Sequence, residues 1–182
     1  MKFETTPLSG LILIQPEVHG DARGFFLESW NRRRFREAGL DCRFVQDNHS
    51  RSSRGTLRGM HFQTRQTQAK LVRVGAGAVF DAVVDLRQSS PSFGQWYGVE
   101  LSAENQSMLL VPEGFAHGFY VLSESADFLY KTSDYYLAEA ELSLRWDDAT
   151  VGIQWPLAVG SRPILSARDQ RGLAWEELPY FD

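Results

Sequence analysis

The sequence predicts an all-β fold, a sandwich or closed barrel with only a few short helices. Three observations predict it. Apolar residues fall in many short segments that alternate or are apolar throughout, not in long runs of helical period. Gly, Pro, Ser and Asn punctuate those segments at short intervals. No internal repeat, low-complexity tract or long linker interrupts the pattern.

Taken in order, the first strand is predicted over Leu11–Gln15, an aliphatic run far too short to cross a bilayer. Gly24–Glu28 follows, built on Phe25, Phe26 and Leu27. A helix is predicted from Asn31 to Ala38, because Asn31 can cap its free N–H groups and Gly39 stands just past its end. Arg32, Arg33 and Arg34 sit among acids and apolar residues and read as a solvated helix face. Strands are then expected over Arg43–Asn48, Thr56–Phe62 and Lys70–Val74. From Val72 to Leu86 the residues Val72, Val74, Ala76, Ala78, Phe80, Ala82, Val84 and Leu86 share one parity. With Gly75, Ala76 and Gly77 as a turn, this predicts a hairpin with one apolar face, unless the turn shifts the register between its arms. Val79–Leu86, Gln95–Leu101, Ser107–Val111, Gly118–Leu122 and Ala126–Thr132 complete the strands, and a second short helix is expected near the C-terminus.

A chain of 182 residues suits one domain, spanning 1–182, and can bury a core without disulfides or a structural metal. Its 12 Phe, 6 Tyr and 5 Trp offer rings to fill a barrel or stack on a planar ligand. Cys42 is the lone cysteine, so no intrachain disulfide forms, which fits a reducing compartment. The opening residues MKFETTPLSG lack the apolar core of a signal peptide, and the expected location is cytoplasmic, away from membranes. A net charge of −4 provides no global basic field for nucleic acid.

Chemistry-bearing residues cluster in a few places. The run from Pro112 to Phe119 has the spacing Pro-x-Gly-x-x-His, which resembles the second motif of cupins: a tight turn and a returning strand that points His117 into a barrel. A turn followed by a packed core histidine reads the same way. Metal-binding cupins pair this with His-x-His in a first motif, but here His61 is flanked at that spacing by Gly59 and Gln63. His19 and His49 lie in polar, loop-like contexts, so no metal is expected. His61 is then the candidate base, since an imidazole titrates near neutrality. Arg58 precedes it and Lys70 follows in the next strand; two cations beside a histidine fit a site that receives negative charge, or two salt bridges at a barrel rim. Tyr130 can hold a proton to donate or simply pack. Leu165 to Asp169 can orient an imidazole through Asp169 and meet phosphate through Arg168, or form an ordinary loop ion pair.

Together these segments resemble the dTDP-4-dehydrorhamnose 3,5-epimerase family nearly end to end. The resemblance is carried by Gly20 to Ser29, Phe44 to Ser50, Gly55 to Gln63, Lys70 to Val74, Phe80 to Arg87, Ser90 to Gly94, Leu101 to Asn105, Pro112 to Phe119, Tyr130-Lys131 and Leu165 to Asp169. It implies a jelly-roll cupin barrel and a homodimer whose N-terminal strands pair with the partner. It implies no cofactor and a nucleotide-linked sugar as substrate. By the same resemblance His61 is the base, Tyr130 the acid and Asp169 the carboxylate that orients the base. Arg58, Lys70 and His117 line the sugar pocket; Gln46, Asn48, Glu141 and Arg168 contact substrate; and Tyr136 stacks near the nucleotide. Arg23 and Glu28 take positions that reach into the neighbouring subunit's site. Arg168 stands where the family often has Lys, and His19 where it often has an aromatic; the loop Thr64–Ala69 lacks the family's usual Gly before Lys70. The implied reaction inverts C3 and C5 of dTDP-4-keto-6-deoxy-D-glucose. Epimerisation at one centre, ketoisomerisation, and non-catalytic binding of a nucleotide sugar are the alternatives.

Overall fold

The computed structural model describes residues 1–182 and folds them into two antiparallel sheets that share one interior. The first sheet has the spatial order β1 (Lys2–Thr5), β2 (Ile12–Gln15), β10 (Met108–Val111), β7 (Lys70–Ala76), β12 (Ser125–Thr132) and β5 (Gln46–Ser53). The second runs β13 (Glu141–Ser143), β6 (Leu57–Gln63), β11 (Phe115–Val121), β8 (Ala78–Asp85) and β9 (Trp96–Ser102). A separate ribbon pairs β3 (Val18–Asp21) with β4 (Gly24–Leu27). The all-β expectation holds, and the architecture is the jelly roll of the cupins.

Val72, Val74, Leu109, Val111 and Phe128 of the first sheet meet Val79, Val83, Leu101, Phe119 and Val121 of the second in one buried cluster. Burying an aliphatic or aromatic side chain of this size contributes about 1.5–3 kcal/mol, so this layer is what holds the sheets together. On the outer face of the second sheet, Ala82, Val84 and Leu86 lie under the C-terminal segment, with Trp155, Trp175, Tyr180 and Phe181 packed against them. Helix α1 (Arg32–Glu37) caps the outer face of the first sheet. The Asn31 side chain accepts hydrogen bonds from the Arg33 and Arg34 backbone N–H groups at 3.0 and 3.3 Å, and Gly39 follows at φ +81, as expected. Only Phe35 of the helix is buried, which leaves Arg32, Arg33 and Arg34 in solvent.

The expected hairpin over Val72–Leu86 does not form. β7 and β8 belong to different sheets, and the chain crosses between them at Gly77. Gly77 takes φ +74, and a Cβ there would come within 2.1 Å of the Ser125 carbonyl oxygen. The corner also shifts the parity: Val72 and Val74 share the interior with Val79 and Val83, not with Ala82 and Val84. Because β8 is buried on both faces, a single apolar parity was the wrong template for it. The strand expected at Arg43–Asn48 starts at Gln46 and runs to Ser53. β1, β3 and β13 carry no pattern that predicted them. The expected C-terminal helix is replaced by two 3-10 turns, Asp169–Arg171 and Trp175–Glu177. No helix is long and apolar enough to cross a membrane.

Candidate active site

A cavity of about 370 Å³ opens into the barrel between the sheets. Strand alternation supplies most of its wall. On β5, Gln46, Asn48 and Ser50 share the inner face; on β12, Phe128, Tyr130 and Thr132 do, with Tyr130 opposite Asn48 and Thr132 opposite Gln46. β7 adds Lys70 and β11 adds His117 and Phe119. Arg58 and His61 are three apart on β6, so a regular strand would point them to opposite faces. The pairing instead slips: His61 lies opposite His117, but Arg58 lies opposite Phe119. The extra residue is accommodated at Gly59, φ +125, where a Cβ would lie 2.5 Å from the Gly118 Cα and 2.8 Å from the His117 oxygen. The bulge brings both Arg58 and His61 into the cavity.

Behind His61 stands Asp169, with Oδ1 2.6 Å from the imidazole Nε2. Asp169 is buried, and Ser166 Oγ donates to its Oδ2 at 2.8 Å. Burial alone would raise the Asp169 carboxyl. The bond and charge of His61, the Ser166 hydroxyl and the Gly59 N–H outweigh it and hold the carboxyl below its ordinary value. A carboxylate only accepts, so Nε2 carries the hydrogen and Nδ1 keeps the lone pair that a base needs. Tyr130 comes from the opposite sheet. Burial, then the negative charge of Glu141, push its hydroxyl above the usual value against the pull of Arg58, so it stays protonated near neutral pH. Lys70 is pushed down to about 8 by burial, against Glu141 and Asp81, which favour its charged form. Arg58 donates from Nε to Ser52 Oγ at 2.9 Å.

At the mouth, Tyr136, Glu141 and Arg168 form one cluster. The Tyr136 hydroxyl donates to Glu141 Oε2 at 2.8 Å, and Arg168 ion-pairs with that carboxylate and donates to the Glu141 carbonyl at 2.9 Å. Gln46 donates to Asn48 Oδ1 at 2.9 Å and accepts from the Tyr136 N–H at 3.2 Å. The structure thus gathers Gln46, Asn48, Arg58, His61, Lys70, His117, Tyr130, Tyr136, Glu141 and Arg168 around one cavity, with Asp169 behind.

Arg23 and Glu28 lie elsewhere. Arg23 is on the β3–β4 ribbon, 89% exposed and paired with Asp21; Glu28 meets Arg34 at 3.3 Å and Asn31 at 2.9 Å. Sequence reasoning missed Asp81, whose carboxylate holds His117 Nε2 at 2.9 Å, and the apolar floor of Phe119 and Phe128, stacked at 4.1 Å. Asp81 had a readable signal: an acid inside an apolar strand demands a partner. No group of three His, Cys, Asp or Glu side chains gathers in a metal-holding arrangement.

A sequence model of the family described as dTDP-4-dehydrorhamnose 3,5-epimerase matches residues 5–177. The chain belongs to the dTDP-4-dehydrorhamnose 3,5-epimerase family. The epimerase of that name from Pseudomonas aeruginosa is 53% identical over 182 residues, covering 100% of this chain and 99% of the relative. Among solved structures, the epimerase from Legionella pneumophila in complex with dTDP-4-keto-L-rhamnose superposes with a TM-score of 0.94 at 49% identity, covering 98% of this chain and 94% of that one. A 3'-monoepimerase from Streptomyces bikiniensis, in complex with dTDP-quinovose, superposes with a TM-score of 0.86 at 34% identity, covering 93% and 85%. Family membership, the jelly-roll fold and an isomerase's activity thus agree with the expectations from sequence. An epimerase acting beside a ketone needs a base, an acid on the other side and positive charge for an enolate oxygen, and the cavity holds candidates for each.

Proposed function

We propose that this chain inverts C3 and C5 of dTDP-4-keto-6-deoxy-D-glucose, giving dTDP-4-keto-L-rhamnose, by proton removal and return without a cofactor. The observation that carries this is the His61–Asp169 pair on one wall of the cavity with protonated Tyr130 on the other sheet. The C4 ketone acidifies the hydrogens at both neighbouring carbons. His61 Nδ1 takes one such proton, and the C–H electrons move onto O4 as an enolate. Asp169 stabilises the imidazolium that results. Lys70, with help from Arg58 or His117, stabilises the oxyanion away from bulk water. Tyr130 gives a proton to the opposite face of the carbon, which inverts it, and both residues then re-equilibrate with solvent.

Gln46, Asn48, Glu141 and Arg168 contact the substrate beyond the reacting ring, and Tyr136 stacks near the nucleotide base. Arg23 and Glu28 serve the neighbouring cavity of a homodimer assembled by exchange of N-terminal strands. Supporting this, the β3–β4 ribbon carries Phe25 at 63% and Phe26 at 69% exposure beside Arg23, more apolar surface than a lone ribbon usefully shows to water. The chain works as one domain in the cytoplasm, consistent with its single cysteine.

The test is incubation with dTDP-4-keto-6-deoxy-D-glucose in heavy water, with NMR of the product. Deuterium at C3 and C5 with both centres inverted is the expected result, and no exchange at either carbon sinks the reading. A second reading, inversion at one centre, is favoured by the likeness to the 3'-monoepimerase; deuterium and inversion at C3 alone would select it.

A further inference from the structure

Asp81 lies on β8 with none of its surface exposed, next to Ala82 and Val83, which are equally buried. A carboxylate in such a place is costly unless it is paired. Its partners are two cavity residues. His117 Nε2, on β11, lies 2.9 Å from Oδ2 and 3.1 Å from Oδ1. Lys70, on β7 of the other sheet, lines the same cavity as His117, and its charge and that of Asp81 favour each other's ionised form. The arrangement repeats the His61–Asp169 pair on a second histidine of the same cavity, with a lysine added. Oxygens of an ionised Asp81 accept only, so Nε2 of His117 carries a hydrogen and Nδ1 is the nitrogen left for the cavity.

We propose that Asp81 is a positioning residue for the reaction: it locks His117 in one tautomer and orientation beside Lys70, where the enolate oxygen forms, and its carboxylate supports the positive charge of that lysine. The inference rests on the proposed epimerase reading and deepens it. Burial raises the Asp81 carboxyl above its ordinary value, and His117 and Lys70 offset part of that rise. The groups around Lys70 are Asp81 on β8, Glu141 on β13, Arg58 and His61 on β6, His117 on β11 and Tyr130 on β12. Of these, Glu141 and Asp81 hold the ammonium charged against burial. Removing the Asp81 charge therefore lowers Lys70 further, and the charged lysine is lost at a lower pH.

The experiment compares wild type with Asp81→Asn, His117→Asn and the double variant. It measures turnover of dTDP-4-keto-6-deoxy-D-glucose against pH, and dTDP affinity by calorimetry. Asp81→Asn should lower kcat by roughly 10- to 1,000-fold, the range for losing one preorganised oxyanion donor. Its alkaline limb should move to lower pH while dTDP affinity holds. The double variant should lose less than the product of the single losses, since both act through one imidazole. Unchanged kcat and pH profile, or fully multiplicative losses, would overturn the proposal. A second measurement needs no variant: nitrogen-15 NMR of wild-type histidines should show a protonated Nε2 at His117, and a bare Nε2 would overturn the proposal as well. Wild type that exchanges no deuterium would sink the epimerase reading instead, and the tautomer of His117 would still decide the role of Asp81.

Discussion

Replacing Asp169 by Asn tests the proposed catalytic pair with almost no change in volume. The carboxylate is buried and its contact to His61 Nε2 is 2.6 Å, the geometry of a charge-assisted hydrogen bond. Such bonds contribute about 1.5–3 kcal/mol, which converts to roughly a 10- to 150-fold loss of rate. The amide adds a second penalty. Its oxygen still accepts from Ser166, the partner of Oδ2 at 2.8 Å, so its NH₂ turns to His61. Facing a donor, Nε2 must give up its hydrogen, and the ring proton moves to Nδ1, the nitrogen proposed as the base. In the serine-protease triad the same change of tautomer costs about 10⁴-fold. The expected fall for Asp169→Asn therefore lies at ~10²–10⁴-fold. The assay is the initial rate of deuterium entry at C3 and C5 in heavy water, with thermal melting and dTDP binding as folding controls. A folded variant that exchanges close to the wild-type rate would refute the reasoning.

Tyr130→Phe removes one hydroxyl and should leave packing intact; exchange should persist while inversion drops by about 10²–10⁴-fold, and normal inversion at both carbons would exclude Tyr130 as the acid. The Lys70 amine, lowered from its ordinary value to about 8 by burial, is protonated below that pH and neutral above it, so turnover should fall as pH rises through about 8. A rate that stays level well beyond that pH would show that its charge is not needed. Mixing unfolded Arg23→Ala with unfolded His61→Asn and refolding them together should restore partial activity, because some shared cavities carry neither lesion; full activity in a proven monomer would refute the sharing.

Much of the fold was legible because strands exposed on one face announce themselves by alternation. β12 was found that way, and the helix was read from its Asn31 cap and the Gly39 just past its end. The failures share a physical cause. β8 is covered on both faces, so its parity held no information about which side faced the cavity. β5 alternates only between polar residues along a sheet edge, and β13 is three residues long. Most residues named through the family resemblance line the cavity or stand behind it, while Arg23 and Glu28 do not, and the way the cavity residues assemble was not legible. The slip at Gly59 that aligns Arg58 with His61 leaves no mark in an apolar pattern, and Asp81 was passed over because its neighbours read as core.

The cavity draws its residues from both sheets and from distant parts of the chain. His61 and Asp169 are 108 positions apart, and His117 and Asp81 are 36 apart. No local segment can build the site, so it comes into being only when the two sheets close on each other. Loop-closure entropy must be met before those contacts form, which makes folding of this barrel slow compared with a helical bundle of equal size. It also ties ligand to fold: a nucleotide sugar that touches both sheets binds only the closed barrel, and a concentration 100 times its Kd adds about 2.7 kcal/mol to the stability of the native state. Bound substrate thus stabilises the same closed arrangement of the two sheets that the reaction requires.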